Sequence, residues 1–265
     1  MSRAPAAIVL AAGKGTRMKS DLPKVLHPAD GVPMVRHVVE ALRKVGTGPI
    51  VLVVGHGADL VRAAFADDAH DDLRFALQAE QLGTGHAVAC GLEALEPDDD
   101  REDLLVLCGD GPLIRAETLG SLLEAHRASG AAATLATSRV LDPTGYGRIA
   151  RDGEGRFRAI VEHADASETE RSIDEINPSI YAFRERSLRE TLPRVGRGNA
   201  KGEVYLTDVF ALLLGHGPAG DLAGPAVEVV AAVPPEEVLS VNTPEQLAEV
   251  DRILRVRRAG RETRG

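Results

Sequence analysis

Cationic and glycine residues cluster directly after the first apolar run of the sequence. Residues 10–18 read LAAGKGTRM, and Lys19 and Lys24 follow shortly afterwards. Backbone N–H groups of a glycine-rich loop, together with nearby lysine and arginine side chains, suit the oxygens of a triphosphate. The stretch therefore predicts a phosphate-binding loop, and a glycine-rich turn with solvated cations is the alternative.

Two phosphate-binding signatures almost match this loop. Gly13 and Gly15 fit the dinucleotide signature G-x-G-x-x-G, but Met18 takes the last position, where glycine lets a helix pack closely on a strand. Gly13, Lys19 and Ser20 approach the signature G-x-x-x-x-G-K-[ST], in which Met18 again replaces a required glycine. Because neither signature is complete, neither a dinucleotide site nor a P-loop is predicted.

Two oxygen-bearing side chains follow apolar runs farther along the chain. Asp110 comes after residues 104–108, and Asn242 comes after the strand-like residues 238–241. Ligands of open α/β sheets bind at the carboxyl ends of the strands, and carboxylate and amide oxygens are hard ligands that suit Mg²⁺. The two residues are therefore candidate magnesium ligands, with a helix cap as the alternative for Asp110.

Continuous apolar runs recur along the chain and alternate with helical patterns. The runs occupy residues 6–12, 50–55, 104–108 and 131–136, and residues 33–45 carry one apolar helical stripe between the first two. Runs without polar alternation predict strands that are buried on both faces. We therefore expect an α/β fold: a Rossmann-like mixed, mostly parallel sheet with helices on both faces.

The alternation of long apolar runs and helical patterns ends at about residue 140. Glycines and charges cluster at 142–155, and short strands are predicted at 157–162 and 179–183. We expect an insertion that adds a second wall to the site. It would form a lobe at about 140–210 within a domain that spans 1–243.

A C-terminal helix and a basic tail are predicted at 244–265. Thr243 can cap this helix, Pro244 suits its first position, and Gln246 completes a capping box. These start signals predict that the helix begins at Pro244.

Length, composition and charge narrow the class of protein. The chain has 265 residues, a formal net charge of -9, 3% aromatic residues and no tryptophan. Duplex nucleic acid requires a basic face and base stacking requires exposed aromatic rings, so a nucleic-acid partner is disfavoured. No secretory or membrane-spanning segment is recognised, and Cys90 and Cys108 form no disulfide framework, so a cytoplasmic protein without a membrane partner is expected.

The acidic runs at 67–72 and 96–103 are expected to be solvated loops.

A series of motifs extends the pattern of the phosphate loop over most of the chain. In order they are LAAGKGTRMKSDLPKVLHP, LQAEQLGTGHAV, LCGDGPLI, DPTGYGRI, IVEH, EIN, KGEVYLTD and SVNTPEQL. The ordered set resembles the sugar-phosphate nucleotidyltransferase family, and within it most closely the N-terminal uridylyltransferase domain of the bifunctional GlmU enzymes. The resemblance covers roughly residues 6–255, and its specificity comes from the order of the motifs.

The resemblance implies a nucleotide-diphospho-sugar transferase fold and a cytoplasmic enzyme that uses Mg²⁺. The implied reaction joins UTP to N-acetylglucosamine 1-phosphate and gives UDP-N-acetylglucosamine and pyrophosphate. Arg17 and Lys24 would be the catalytic cations, and Asp110 and Asn242 would hold the metal. The implied nucleotide-binding residues are Leu10, Ala11, Ala12, Gly13, Gly15, Gln78, Gln81, Gly83 and Thr84. The implied sugar-binding residues, on the lobe at about 140–210, are Gly147, Glu162, Asn177 and Thr207.

The sequence departs from the family pattern in three respects. Pro178 and Ser179 follow Asn177, where the family usually has threonine and glycine, and this puts the identity of the sugar in question. Cys108 stands where some relatives carry an aromatic residue, and we expect it to be a buried core residue. No hexapeptide-repeat acetyltransferase domain is recognised, so neither acetyltransferase activity nor trimerisation through that domain is expected, and the oligomeric state is not predicted.

Three alternative functions remain open. The nearest is a nucleotidyltransferase that acts on a different sugar 1-phosphate or on dTTP. The second is a non-catalytic nucleotide-sugar sensor, which would not need the metal pair of Asp110 and Asn242. The third is an oxidoreductase, which would bind a nicotinamide cofactor.

Overall fold

The computed structural model describes residues 4–96, 102–216 and 226–262. Its strands are, in chain order, β1 (Ala6–Ala11), β2 (Pro28–Ala29), β3 (Val32–Pro33), β4 (Ile50–Val54), β5 (Leu73–Leu77), β6 (Asp103–Cys108), β7 (Ala133–Ala136), β8 (Ser138–Arg139), β9 (Gly147–Arg151), β10 (Phe157–Val161), β11 (Glu175–Asn177), β12 (Ile180–Arg184) and β13 (Val227–Val230). Its α-helices are α1 (Met34–Lys44), α2 (Ala58–Ala63), α3 (Thr84–Ala94), α4 (Ala116–Ser129), α5 (Glu168–Arg171), α6 (Glu185–Thr191), α7 (Asp208–His216) and α8 (Pro244–Glu262). Short 3-10 helices lie at Thr16–Met18, Lys24–Leu26, Leu192–Arg194 and Pro235–Glu237.

The main sheet is mixed but mostly parallel. Over the described ranges it has seven strands, in the order β13-β7-β12-β6-β1-β4-β5. β1 pairs in parallel with β4 and β6, β4 with β5, and β7 with β13. β12 runs antiparallel to both β6 and β7. The predicted α/β fold is therefore confirmed.

Two apolar cores lie on opposite faces of this sheet. One contains Ala7 and Val9 of β1 together with buried residues of α1, α2 and α4. The other contains Ile8 of β1 together with buried residues of α3, α6 and α7. Every residue of β4 is buried, which explains why the apolar runs lack polar alternation. Burial of each large apolar side chain contributes roughly 1.5–3 kcal/mol, so burial of these runs stabilises the central strands.

A second, four-stranded sheet in the order β10-β9-β11-β8 is formed by strands from residues 138–177, which overlap the predicted insertion. The strand predicted at 157–162 belongs to it as β10, but the strand predicted at 179–183 does not. That segment is β12, which lies between β6 and β7 in the main sheet. Its apolar residues, Ile180, Tyr181, Ala182 and Phe183, are buried, as a strand with neighbours on both sides requires.

The C-terminal helix α8 begins at Pro244, as its start signals predict. Gln246 Oε1 accepts from the Thr243 N–H at 3.1 Å, and Thr243 Oγ1 accepts from the Gln246 N–H at 3.3 Å, which completes the capping box. Val250 is buried against the domain. Residues 263–265 of the predicted basic tail lie outside the described residues. Of the helices that the structure describes, none combines the length and apolar character needed to cross a bilayer.

The acidic runs are not simply solvated loops, which corrects the prediction. Asp68 and Asp72 form ion pairs with Arg43 of α1, at 3.0 and 2.7 Å, and the Asp68 side chain is only 6% exposed. In the second run, Asp103 is buried as the first residue of β6 and pairs with Arg127 at 2.6 Å. Residues 97–101 of that run lie outside the described residues. Composition alone could not show that cations from other elements meet these carboxylates.

The Arg43 cluster predicts a specific dependence of stability on pH. Burial opposes ionisation of Asp68, but hydrogen bonds from Arg43 and His70 outweigh it and lower the pKa of Asp68 from 3.8 to about 2. A lowered carboxyl pKa stabilises the fold above its unfolded value, and this contribution of about 2 kcal/mol is lost as the pH falls from about 4 to 2. Urea unfolding should therefore show that Asp68→Asn lowers the free energy of unfolding at pH 6, with the difference from wild type shrinking toward pH 2.

The matched control is Asp67→Asn on the same loop. The Asp67 side chain is 84% exposed, so this change should alter the free energy of unfolding by less than about 0.5 kcal/mol at any pH. Equal effects of the two substitutions would contradict a stabilising role for the buried pair.

Candidate active site at the carboxyl edge of the sheet

The predicted phosphate loop begins where β1 ends. Gly15 has a left-handed backbone with φ of 62°, and a Cβ at this position would lie 2.6 Å from Lys24 Cβ. Both observations require glycine here. The loop continues into the 3-10 helix Thr16–Met18, which carries Arg17. Gly15 thus lets the loop close against Lys24.

Met18 explains why the loop follows neither glycine signature. Its side chain is buried and packs in one cluster with Val241 and Val250. A glycine at position 18 has no side chain and would leave this cluster without the buried thioether of Met18. Since Val241 directly precedes Asn242, this cluster joins the loop to the segment that carries a predicted metal ligand.

The predicted catalytic cations and the predicted metal ligands meet in one cluster. Lys24 Nζ forms an ion pair with Asp110 Oδ2 and donates to Asn242 Oδ1 at 3.0 Å. Arg17 Nη2 donates to the same Asn242 oxygen at 2.9 Å. The structure therefore brings together Arg17, Lys24, Asp110 and Asn242, which the sequence places up to 225 positions apart.

Asp110 and Asn242 are held by contacts at the edge of the sheet. The Val241 N–H donates to the Asp110 carbonyl at 2.9 Å, and the Asn242 N–H donates to Gln246 Oε1 at 2.7 Å. The capping box of α8 therefore also orients Asn242. Asp110 follows β6 by two residues, as the sequence predicts.

The segment before Asn242 is not the predicted strand. Residues 238–241 form no strand: after the 3-10 helix Pro235–Glu237, the Val241 N–H donates to the Asp110 carbonyl instead of to a neighbouring strand. This path brings Ser240 Oγ to 3.1 Å from Asp110 Oδ1, to which it donates. Ser240 was missed, although it lies inside a motif that the sequence displays.

The cluster fits a divalent cation. Both Asp110 Oδ2 and Asn242 Oδ1 already contact one positive group, the Lys24 ammonium, so the two oxygens face a common point. Carboxylate and amide oxygens are hard ligands, and phosphate oxygens and water complete the shell of such an ion. Across residues 4–96, 102–216 and 226–262, no group of three or more His, Cys, Asp or Glu side chains offers an alternative site.

The predicted base-binding residues line a loop that is tied to both neighbours. Gln81 Nε2 donates to the Ala12 carbonyl at 2.7 Å. Gly83 has a φ of 110°, and a Cβ there would lie 2.5 Å from the Val204 carbonyl oxygen, so only glycine permits this approach. Thr84 Oγ1 accepts from the Leu206 N–H at 3.0 Å. Residues 78–84, called the base-side loop, are therefore connected by these contacts to the segment before Thr207 and form one wall with it.

A cavity of about 310 Å³ lies beside this wall. Its lining includes Leu10, Thr84, Glu162 and Thr207 from the predicted set. Thr207 Oγ1 donates to Glu162 at 3.1 Å, and burial raises the pKa of the Glu162 carboxyl. Lys201 also lines the cavity. It was missed because a lysine in a glycine-containing loop gives no signal of its own, although the motif KGEVYLTD contains it.

The other two predicted sugar-binding residues lie behind the cavity wall. Asn177 is buried; its Oδ1 accepts from the Ser179 N–H at 3.0 Å and its Nδ2 donates to the Tyr181 hydroxyl at 2.7 Å. Gly147 packs against β10, where a Cβ would lie 3.0 Å from Ile160 Cγ2. Ser179 and Tyr181 themselves line the cavity.

The departure after Asn177 has a backbone consequence. Ser179 has a φ of 60°, which is the left-handed region where glycine is favoured and other residues are strained. Ser179 also lines the cavity. The serine therefore places a side chain in the cavity lining where glycine would have none.

The cysteines are not activated nucleophiles. Both Cys90 and Cys108 are free thiols. Burial, reinforced by the charge of Asp110, raises the pKa of Cys108 to about 12, and burial also raises the pKa of Cys90. A thiol with a raised pKa is protonated at neutral pH. Cys108 is only partly buried and lines the cavity, so the expectation that it is a buried core residue is wrong.

Because Lys24 stands between the two oxygens, a metal ion must displace it. We expect Lys24→Met to bind Mn²⁺ in the absence of nucleotide on the order of tenfold more tightly than wild type, since a charged hydrogen-bonded partner no longer competes. Titration of free Mn²⁺ by electron paramagnetic resonance measures this. Lys14→Met removes one charge from the same exposed loop and should change affinity less than about threefold, by screened electrostatics alone. Weaker binding by Lys24→Met than by Lys14→Met would contradict this arrangement.

Comparison with known proteins gives a consistent family. The family described as MobA-like NTP transferase domain matches residues 7–204. The chain is 50% identical over 252 residues to the bifunctional protein GlmU of Geobacter metallireducens, covering 95% of this chain and 51% of that protein. It is 49% identical to the bifunctional protein GlmU of Trichlorobacter lovleyi, covering 95% of this chain and 52% of the relative. For the bifunctional protein GlmU of Brevibacillus brevis the identity is 47%, again over 95% of this chain and 52% of the relative.

The chain spans about half the length of these curated relatives. The family match over residues 7–204 contains the phosphate loop, Asp110, the base-side loop and the insertion sheet. It therefore covers most of the residues described above. The chain belongs to the MobA-like NTP transferase domain family.

Proposed function

We propose that this chain transfers a uridylyl group from UTP to N-acetylglucosamine 1-phosphate and releases pyrophosphate. The observation that carries the proposal is the convergence of Arg17 and Lys24 on Asp110 and Asn242, beside a cavity that contains Glu162. The relatives named bifunctional protein GlmU support it. We also propose that residues 1–243 form the nucleotidyltransferase domain, with the sugar-side lobe at about 140–210 and the C-terminal segment at 244–265.

The reaction needs positioning and charge neutralisation more than a general base. A phosphate monoester loses its second proton at about pH 6. At neutral pH the sugar phosphate oxygen is therefore already nucleophilic. It attacks the α-phosphorus of UTP as the bond from that phosphorus to the bridging oxygen breaks, and the electron pair leaves with pyrophosphate. Arg17 would hold the departing phosphates and Lys24 would bridge the two reacting phosphates, and so align the in-line displacement.

Asp110 and Asn242 would hold a divalent cation, for which we propose Mg²⁺, and such an ion neutralises phosphate charge when bound. Ser240 would orient the Asp110 carboxylate through its 3.1 Å hydrogen bond. Lys24, no longer paired with Asp110, would then be available to the phosphates. The Lys24 side chain would thus pair with Asp110 and Asn242 when no cation is bound to them, and would contact phosphate oxygens when the cation and the substrates are bound.

The sugar would bind in the cavity lined by Glu162, Thr207 and Ser179. The Glu162 carboxylate accepts hydrogen bonds, which suits sugar hydroxyls, and the backbone that Asn177 holds shapes the wall. The strained Ser179 and its hydroxyl favour one further candidate within the class, a different sugar 1-phosphate. The choice between UTP and dTTP depends on the space around the base-side loop.

Release of pyrophosphate across a panel of nucleoside triphosphates and sugar 1-phosphates tests the proposed reaction. We expect turnover with UTP and N-acetylglucosamine 1-phosphate in the presence of Mg²⁺. Asp110→Ala should lower kcat by about a hundredfold or more, since a charge that acts on the transition state is lost. Asp59→Ala, whose side chain is fully exposed, is the control and should retain activity. Nucleotide-sugar binding without turnover by wild type would support the sensor alternative instead.

The raised pKa of Glu162 predicts how sugar binding depends on pH. Burial shifts this carboxyl above its ordinary 4.5, so as the pH falls it loses its charge earlier than an exposed glutamate. We expect the KM for the sugar phosphate to rise in wild type as the pH is lowered toward that pKa. Glu162→Gln should have a KM about tenfold higher at pH 8 and should lack this added pH dependence.

The control for this series is Glu154→Gln, because that side chain is 74% exposed on the insertion. It should reproduce the wild-type pH profile, which also contains the titration of the substrate phosphate. Identical profiles for wild type and Glu162→Gln would exclude a direct role for Glu162 in sugar binding.

A further inference from the structure

The Gln78 side chain is held in one orientation at the end of β5. It is buried, and its Nε2 donates to the Gly83 carbonyl at 3.0 Å. The same nitrogen lies 3.2 Å from His86 Nδ1. A primary amide has two protons on nitrogen, so two acceptors on this side use both of them. The carbonyl of Gly83 can only accept, which assigns the nitrogen, rather than the oxygen, to this side.

His86 supplies the second acceptor from the first turn of α3. For its Nδ1 to accept from Gln78, the ring proton must be on Nε2. Nε2 lies 3.8 Å from Cys90 Sγ, one helical turn farther on, and sulfur is a weak acceptor for that proton. The row Gln78–His86–Cys90 therefore has a consistent direction of donation, from the amide to the imidazole and from the imidazole to the thiol.

The orientation leaves Gln78 Oε1 as an acceptor. No hydrogen bond within the described ranges uses this oxygen, although both protons of Nε2 have partners. Uracil presents an N–H donor between two carbonyls, whereas cytosine presents an acceptor at the same ring position. A fixed acceptor therefore favours uracil and opposes cytosine, and a flipped amide would reverse this preference.

We infer that His86 is a positioning residue for base selectivity: by accepting from Gln78 Nε2, it keeps Gln78 Oε1 directed to the N–H of uracil. This inference rests on the proposed function, because it assigns the uracil base to the loop of Gln78, Gln81 and Gly83. A flipped Gln78 amide would set its oxygen against both the Gly83 carbonyl and the lone pair of His86 Nδ1. His86 thus raises the free energy of the orientation that would accept cytosine.

Substitution of His86 tests the inference through the ratio of kcat/KM for UTP to that for CTP. His86→Ala removes one of the two acceptors and should lower this ratio about tenfold, with the KM for the sugar phosphate unchanged. His86→Asn places an amide oxygen near the position of Nδ1 and should restore most of the ratio. His37→Ala is the matched control and should leave the ratio unchanged. His37 lies on α1 and bonds to the Ala29 carbonyl of β2, outside the site.

The outcomes separate the inference from the proposed function. The ratio is independent of the fraction of folded enzyme, so a loss of stability in His86→Ala does not mimic a loss of selectivity. Wild-type turnover of UTP with an unchanged ratio in His86→Ala would overturn the role of His86 and leave the proposed function intact. Absence of wild-type turnover with any nucleotide would overturn the proposed function itself, and nucleotide binding measured by calorimetry would then decide whether His86 still affects base preference.

Discussion

The ion pair between the Lys24 ammonium and Asp110 is the interaction around which the candidate site is arranged. The ammonium pairs with Asp110 beyond β6 and with Asn242 at the start of α8, and the two charged side chains are only 15% and 13% exposed. A carboxylate withdrawn from water to this extent needs a positive partner. Three segments that are far apart in the sequence therefore meet at one charge, and a cation that binds the two oxygens must exchange partners with it.

Local features give that charge a fixed place. Gly15 permits the phosphate loop to approach Lys24, and Met18 of that loop lies in the same buried cluster as Val241. Gln246 orients the backbone of Asn242 while it caps α8. These contacts join groups of the chain itself, so they orient the cations and the oxygens of the candidate site relative to one another.

The parts that the sequence predicts well are those whose signals are local. The strands β1, β4 and β6 follow from apolar runs that can only be buried on both faces, and the start of α8 follows from the capping box of Thr243 and Gln246. Positions that depend on distant partners were predicted wrongly. β12 was assigned to the insertion and residues 238–241 to a strand, because strand pairing is decided by neighbours that periodicity does not identify.

By itself, the sequence determined which chemical groups are available: cations after β1, a carboxylate and an amide suited to a metal, and glutamines suited to a base. The tertiary structure alone decided which of them meet. It paired Lys24 with Asp110, turned Asn177 toward Tyr181 behind the cavity wall, and set His86 against Gln78. The physical reason is that residue type sets what a side chain can donate or accept, whereas hydrogen bonds and ion pairs act over a few ångströms between groups that only folding brings together.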